Sequence, residues 1–209
     1  MKRIKSNIEN YIYIRLLNFQ LFGMCMRNLK LILFCLVIGL FGCQSEKTKP
    51  LFQSLNPSQT GISFNNRISD QDSVTVLDFE YLYNGGGVSI GDINNDGLPD
   101  VFFTGNLVEN KLYLNKGNLQ FEDITRQAGV GAADIWSAGA NMVDVNQDGF
   151  LDIYIAAAKT VSHKNSANKL YINQGDNTFK DMAPQYGIAD TAYSTQSAFF
   201  DFDKDGDLD

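Results

Sequence analysis

Asp92-Ile-Asn-Asn-Asp-Gly-Leu-Pro-Asp100 is a nine-residue stretch that occurs three times, in closely similar form, in this chain of 209 residues. The second copy is Asp144-Val-Asn-Gln-Asp-Gly-Phe-Leu-Asp152, and the third is Asp201-Phe-Asp-Lys-Asp-Gly-Asp-Leu-Asp209. The copies begin at residues 92, 144 and 201, which are 52 and 57 residues apart. A pattern that returns at a period of this size indicates an architecture built from stacked repeats.

The repeated stretch has the chemistry of a loop that binds a hard cation. Carboxylate or amide oxygens recur at positions one, three and five, an acid closes the loop at position nine, and glycine at position six permits a sharp turn. Position seven is expected to supply a backbone carbonyl, and Ca²⁺ suits this flexible cage better than Mg²⁺, which demands a smaller octahedron. The predicted ligands are Asp92, Asn94, Asp96, Leu98 and Asp100 in the first loop, Asp144, Asn146, Asp148, Phe150 and Asp152 in the second, and Asp201, Asp203, Asp205, Asp207 and Asp209 in the third.

Other interpretations of the loops lead to different predictions. An EF-hand requires a bidentate glutamate at the twelfth position, where this chain has Phe103 and Ile155, so an EF-hand is excluded. Turns rich in Asp and Asn that hold no metal are an alternative for any single copy, although three copies in register favour a metal. If calcium binds, we expect its role to be structural, because it neutralises clustered carboxylates and fixes one turn in each repeat.

A second motif returns in phase with the loops and indicates the fold. Asn110-Lys-Leu-Tyr-Leu-Asn-Lys-Gly117 matches Asn168-Lys-Leu-Tyr-Ile-Asn-Gln-Gly175. With the short apolar runs on either side of each loop, this motif predicts about four short strands per unit. Four-stranded units of this length are typical of propeller blades, so we predict an all-β fold. It is an incomplete β-propeller with about two complete four-stranded blades and the start of a third. A solenoid and a tandem of β-sandwiches are the alternatives.

The first 50 residues are predicted to be targeting sequence. Leu31 to Phe41 is an uninterrupted apolar run that follows basic residues, which describes a secretory signal too short to span a membrane. Leu40-Phe-Gly-Cys43 resembles a bacterial lipobox, which implies lipidation of Cys43 and a membrane partner reached through the lipid. The alternative is an ordinary signal peptide in which Cys43 has no role. Residues 1–25 are interpreted as an upstream extension, 26–42 as the lipoprotein signal peptide and 43–50 as a tether, with the outer membrane or cell surface as the destination.

The charge of the chain excludes one class of partner. Residues 44–209 carry 11 basic and 23 acidic side chains, a net charge of −12. Such a surface repels phosphate backbones, so we expect no nucleic-acid partner. The three cysteines, Cys25, Cys35 and Cys43, all lie in the targeting sequence, and the repeats are therefore expected to contain no disulfide.

These motifs resemble the FG-GAP/VCBS repeat family of calcium-loop propeller repeats, like those of integrin α-chains. The resemblance is carried by Tyr83-Asn-Gly-Gly-Gly-Val-Ser-Ile-Gly-Asp-Ile-Asn-Asn-Asp-Gly97, Lys111-Leu-Tyr-Leu-Asn115 and Phe121-Glu-Asp-Ile-Thr125. It is closest to the group that includes cartilage acidic protein and bacterial proteins with a C-terminal ASPIC/UnbV domain. That group implies a seven-bladed propeller of roughly 400 residues, so the chain is interpreted as an N-terminal fragment. Residues 51–86 are then a lead-in segment that supplies a ring-closing strand, and 87–209 are the repeats.

The sequence offers few candidates for catalysis. Its one histidine, His163, lies in a polar loop where a solvated role is expected, and no nucleophile-elbow, zinc-protease or phosphate-loop motif occurs. Trp136 and the tyrosines could stack on a sugar, although burial between blades is the expected role. We therefore expect a non-enzymatic module for binding or adhesion to a protein or glycan ligand. The alternative is the propeller domain of a glycan-active hydrolase or lyase, because the fold supports both classes.

Overall fold

The computed structural model describes residues 50–68, 74–158, 160 and 166–209. The predicted signal peptide, Cys43, most of the tether and His163 lie outside the described residues. Within them, no helix is both long enough and apolar enough to cross a membrane. The chain divides into two units after Gln53, and every described strand and helix lies in the second unit, Ser54–Asp209.

The described residues of the second unit form two antiparallel sheets and three four-residue helices. The strands are β1 Val88–Gly91, β2 Asp100–Phe103, β3 Lys111–Asn115, β4 Phe121–Asp123, β5 Trp136–Val143, β6 Asp152–Ala158, β7 Lys169–Asn173 and β8 Phe179–Asp181, and the helices are α1 Pro57–Thr60, α2 Thr125–Ala128 and α3 Ala183–Tyr186. Each sheet takes its four strands in chain order, β1-β2-β3-β4 and β5-β6-β7-β8. Consecutive meanders of this kind are propeller blades, so the predicted all-β, propeller-like fold is confirmed, without closure into a ring.

The two sheets share one register. Tyr113 of β3 pairs with Val101 of β2, and its counterpart Tyr171 of β7 pairs with Ile153 of β6 in the same way. In β1 and β2 burial alternates along the strand, because successive residues point to opposite faces, whereas β6 is buried along its whole length. The Lys-Leu-Tyr motif of the sequence is therefore the third strand of each blade.

The innermost strand of the second blade is longer than its sequence pattern predicts. The apolar run before the second loop is Ala140-Asn-Met-Val143, which predicts a strand that starts at Ala140. In the structure β5 begins four residues earlier, at Trp136. A β-bulge between Ser137 and Gly139 keeps the early part of β5 paired with β6. The irregular register at the bulge interrupts the alternation of apolar residues by which the strand was recognised.

The core lies between the two sheets. One face of the first sheet presents Phe102 and Leu112, both fully buried, and β6 meets them with Ile155. Burial of one such side chain stabilises the fold by about 1.5–3 kcal/mol, so the shared core favours folding of both sheets together. The other buried members of the cluster are Ile93, Leu114, Ile124, Ala128, Val130, Ile135, Ala140, Ile153, Ala157 and Tyr171.

A short helix follows the outer strand of each blade, and the sequence pattern did not predict it. Both α2 and α3 end at a glycine in the left-handed region, Gly129 at φ 77° and Gly187 at φ 72°. Glycine adopts this conformation without steric cost and closes the helix through its N–H. The two units end in similar sequences, Ala128-Gly-Val130 and Tyr186-Gly-Ile188. A helix of four residues is too short to show an apolar period, so this similarity did not indicate a helix.

The lead-in segment consists of α1 and turns, with no strand among its described residues 51–68 and 74–86. Phe64 stacks on Phe103 of the first blade with ring centroids 5.0 Å apart. Phe79 meets Trp136 edge-on at 5.1 Å. The burial expected for Trp136 is confirmed at 2% exposure, in a cluster that contains lead-in residues, Ala158 and Leu107 from between β2 and β3. The segment forms no ring-closing strand here, so pairing with a further blade stays a prediction.

The third repeat contributes its loop but no strand among the described residues. In both blades the innermost strand pairs with the strand that follows the loop, β1 with β2 and β5 with β6. Residues 190–200, which precede the third loop, form no strand. The predicted start of a third blade is thus present as a loop.

Candidate cation-binding loops

The first two acidic loops each stand next to the first strand of a blade. The first loop joins β1 to β2, the second joins β5 to β6, and the third follows residues 190–200. Because β2 begins at Asp100 and β6 at Asp152, the last acid of each of these loops is also the first residue of a strand. The predicted ligands therefore occupy equivalent places in the repeats.

The side-chain oxygens of the first loop organise its backbone. The carboxylate of Asp92 accepts the N–H of Asp96 at 3.1 Å and that of Gly97 at 2.7 Å. The carboxylate of Asp96 accepts the N–H of Leu98 at 2.9 Å, so the seventh residue lies beside the fifth. Asn94 accepts the N–H of Asp96 at 3.2 Å and donates its amide to the Asp96 carboxylate at 3.0 Å. The loop thus brings the predicted ligands at positions one, three and five together.

The second loop repeats this arrangement. Asp144 accepts the N–H groups of Asp148 at 3.1 Å and Gly149 at 2.8 Å, and Asp148 accepts that of Phe150 at 2.9 Å. Asn146 donates its amide to Asp148 at 2.9 Å. The two loops differ at positions two, four, seven and eight. Their shared hydrogen bonds show that positions one, three, five and six determine the loop geometry.

The glycine at position six is required by the backbone conformation. Gly97, Gly149 and Gly206 have φ values of 83°, 91° and 98°. At such φ a side chain costs roughly 1–2 kcal/mol. No other heavy atom lies within 4 Å of the position that a Cβ would take at any of the three. The cost of replacing these glycines therefore comes from backbone strain and not from a lack of space.

The ninth-position acids hold the loops to the sheets, a role that the sequence did not reveal. Asp100 is fully buried and accepts the N–H of Ile93 at 3.0 Å and that of Asn115 at 2.7 Å. Asp152 is equally buried and is bonded in the same way by its own loop and by β7. Burial raises the pKa of both carboxyls, because the charged form loses its hydration, and the two backbone donors only partly offset this effect.

The third loop gathers three carboxylates most closely. Asp201, Asp203 and Asp209 each offer an oxygen, and these atoms lie within 4.8 Å of one another, the only such cluster of acidic, histidine or cysteine side chains in the described part of the chain. In the first two loops the third position is asparagine. The backbone N–H of Asp207 donates to Asp205 and lowers the pKa of the Asp205 carboxyl. A side-chain hydrogen bond with Asp205, together with its negative charge, raises the pKa of the Asp207 carboxyl.

The donor set of the loops fits a hard cation. Each loop offers carboxylate or amide oxygens from residues on one side of a tight turn, and no nitrogen or sulfur ligand that zinc or copper would favour. The cluster in the third loop shows that an acid at position nine can accept a backbone N–H, from Phe202 at 2.8 Å, and still lie beside Asp201. The acids at positions one, five and nine of the first two loops form no such cluster, so the structure brings three predicted carboxylate ligands this close together only in the third loop of its described residues.

A separate cavity of about 330 Å³ lies beside the start of β5 and the residues that precede β1. Its lining includes Tyr81, Trp136, Tyr193 and Gln196, so aromatic faces and an amide meet in one concave surface. Tyr81 and Tyr193 are 53% and 68% exposed. Exposed aromatic rings beside amide groups can hold a sugar or an aromatic side chain. The sequence indicated that Trp136 and the tyrosines could stack on a sugar, with burial as the expected role. It could not indicate that Tyr81 and Tyr193, which lie far from Trp136 along the chain, share one cavity with it.

Comparison with known proteins identifies one family of repeats and one group of relatives. A family model described as FG-GAP-like repeat matches residues 92–155 and 144–209. Cartilage acidic protein 1 of Xenopus tropicalis is 30% identical over 131 residues, 61% of this chain and 19% of the relative. The proteins of the same name from Mus musculus and Homo sapiens are 30% identical over 129 and 132 residues, 60% and 61% of this chain and 19% of each relative. The chain thus matches about a fifth of the length of these relatives.

Proposed function

The chain belongs to the FG-GAP-like repeat family, and from this we propose that it is a calcium-binding module that binds a protein or glycan without catalysis. Repeats of this family suggest a propeller-like binding module. Calcium is the finer part of the proposal. In it, one Ca²⁺ occupies each acidic loop and fixes the turn beside the innermost strand.

The repeated hydrogen-bond pattern of the loops carries the calcium proposal. The same acids lie together in loops that differ at four other positions, which argues for a purpose beyond making a turn. Clustered carboxylates repel one another unless a cation or a proton neutralises them. The residues that would hold the ion are the predicted side-chain ligands and the carbonyls of Leu98, Phe150 and Asp207.

Calcium titration of the full chain tests the proposal. We expect calorimetry to detect binding and thermal unfolding to shift upwards with Ca²⁺ and downwards with EDTA, because a ligand that binds only the folded state stabilises it. Asp96→Asn and Asp148→Asn should each weaken binding while retaining the shape of the side chain. Glu122→Gln, which removes one negative charge from exposed β4, is the matched control. A folded chain whose unfolding does not respond to Ca²⁺ would refute the proposal.

Export and anchoring are a second part of the proposal. The apolar run before Cys43 supports a lipoprotein of the cell envelope, displayed at the outer membrane or cell surface. Labelling of the full chain with a fatty acid in a bacterial host, followed by fractionation of the membranes, tests this part. The wild-type chain should take up label in the envelope fraction, and Cys43→Ser should not. Equal labelling of both chains would show that Cys43 is not lipidated.

The aromatic cavity supports a glycan as the ligand class. Two exposed tyrosines can stack on sugar rings, and the Gln196 amide can bond their hydroxyls. A glycan array probed with the full chain and with Tyr193→Ala tests this assignment, and equal signals from the two chains would refute it. The alternative is the propeller domain of a glycan-active hydrolase or lyase.

A further inference from the structure

We propose that the acidic loops of neighbouring blades are energetically coupled, with Asn95 as the residue that transmits binding in one loop to the next. The inference rests on the proposed binding of calcium and extends it, because it states how the sites depend on one another. In this view the three loops behave as a connected row of sites.

The first observation is a hydrogen bond between successive loops that occurs twice. The amide of Asn95, at position four of the first loop, donates to the carbonyl of Gly149, at position six of the second loop, at 2.9 Å. Gln147, at position four of the second loop, donates to the carbonyl of Gly206 in the third at 3.0 Å. Asn95 and Gln147 share left-handed φ values of 58° and 59°. Position four thus links each loop to the next, with side chains of different length.

The second observation is a buried side-chain amide that forms hydrogen bonds with both of the first two loops. Asn173 of β7, 3% exposed, donates to the carbonyl of Ile93 at 2.8 Å and to the carbonyl of Leu151 at 3.1 Å. Ile93 belongs to the first loop and Leu151 to the second. Asn115, the counterpart in the first blade, donates to Pro99 of its own loop at 2.8 Å. The two loops are therefore joined at the surface by Asn95 and in the interior by Asn173.

These contacts connect the peptide groups that a cation would fix. The carbonyl of Gly149 joins position six to position seven, and position seven is the predicted carbonyl ligand of the second loop. Ordering of the second loop by a cation fixes this peptide and with it the acceptor for Asn95. A fixed acceptor restrains the first loop at Asn95, between its ligands Asn94 and Asp96, so the first loop loses less freedom when it binds. Such coupling is reciprocal, because each site must affect the other by the same factor.

The test is a thermodynamic cycle on the full chain, with Ca²⁺ itself as the probe. Asp148→Asn disables the second loop, and the affinity of the first loop for Ca²⁺ is then compared with that in the intact chain by calorimetry. The same comparison is made with Asn95→Gly in both chains, which keeps the left-handed backbone but removes the amide donor. Asn118→Gly is the matched control, because Asn118 is an exposed asparagine at φ 53° outside the loops.

We expect disabling the second loop to weaken binding in the first by roughly 5-fold or more, the usual lower range of coupling between sites. This effect should disappear with Asn95→Gly and persist with Asn118→Gly. Nuclear magnetic resonance gives an independent readout, since the side-chain amide signal of Asn95 should move when the second loop alone is filled. If both loops bind Ca²⁺ but with affinities that do not depend on each other, the coupling is refuted while the calcium proposal stands. If neither loop binds Ca²⁺, both are refuted.

Discussion

The backbone N–H of Asn173 donates to the buried carboxylate of Asp152 at 2.8 Å. The same carboxylate accepts the N–H of Val145 at 3.1 Å, so one acid ties the second loop to β7. Asn115 and Asp100 repeat the relationship in the first blade at 2.7 Å. The last acid of the loop therefore stabilises the blade through hydrogen bonds that require no cation.

Replacement of Asp152 should destabilise the chain even without calcium. Asp152→Ala leaves two buried N–H groups without an acceptor, and each costs about 1–3 kcal/mol, so we expect a loss of about 2–6 kcal/mol in the free energy of unfolding. Urea denaturation in EDTA measures it. Asp148→Ala is the control, because Asp148 is exposed and its loss should cost less than about 1 kcal/mol under the same conditions. Equal losses would show that Asp152 has no special structural role.

Replacement of the loop glycine should cost what its backbone conformation demands. Gly149 has a φ of 91° and open space around its Cα, so Gly149→Ala should lower the free energy of unfolding by about 1–2 kcal/mol. Gly149→Asn should cost less, because asparagine tolerates left-handed conformations better than alanine does. Chemical denaturation of the two variants decides the point. If Gly149→Asn destabilised the chain more than Gly149→Ala, the cost would come from steric crowding and not from backbone strain, which would contradict this expectation.

Truncation in the shared core should destabilise both blades at once. Ile155 is fully buried between the sheets, and Ile155→Ala should cost about 2–5 kcal/mol. Ile90, 65% exposed on β1, provides the control, and Ile90→Ala should change the stability by less than about 0.5 kcal/mol. Fluorescence of Trp136 and far-ultraviolet circular dichroism should report one transition. Separate transitions would show that the blades do not share a core.

Acid should remove the contribution of Asp123. Burial raises the pKa of this carboxyl, but hydrogen bonds from Thr125 and an ion pair with Lys111 at 3.2 Å outweigh burial and lower the pKa below 3.8. Because the folded-state pKa is lowered, the stabilisation is fully present above pH 3.8 and is lost as the pH falls through the folded value. Asp123→Asn should therefore cost about 0.5–1 kcal/mol at neutral pH, a small figure because the pair is partly exposed.

Denaturation of the wild-type chain and Asp123→Asn across a pH series checks this expectation. The difference between the two chains should shrink as the pH is lowered below 3.8. Glu122→Gln removes a neighbouring negative charge and controls for the general effect of charge. A difference that stayed constant with pH would show that Asp123 contributes through packing and not through its charge.

The repeats and their strands were predictable because turn chemistry is local. Glycine at position six and oxygen-bearing side chains at positions one, three and five specify a tight loop from sequence alone, and the apolar runs beside it specify strands. The third strand of each blade was predicted from the repeated motif that contains Tyr113 and Tyr171. These features depend on residues within about ten positions of one another, and this is the range over which sequence patterns are informative.

The features that escaped prediction depend on contacts between distant parts of the chain. Asn173 bonds the carbonyl of Ile93, 80 residues earlier, and a single asparagine in a strand gives no sign of such a partner. The exposed Tyr81 and Tyr193 meet at one cavity only after the lead-in segment has packed on the second blade. Burial of Trp136 was predictable from its size, but its contact with Phe79 was not.

Each four-stranded sheet is built from one uninterrupted stretch of chain, the first from Val88–Gly91 to Phe121–Asp123 and the second from Trp136–Val143 to Phe179–Asp181. An in-frame duplication of one stretch would therefore add a complete sheet, together with its own acidic loop and its own apolar faces. A deletion of one stretch would likewise remove a whole sheet and leave no strand without its neighbours. The repeat in the sequence and the sheet in the structure are therefore the same unit in this chain.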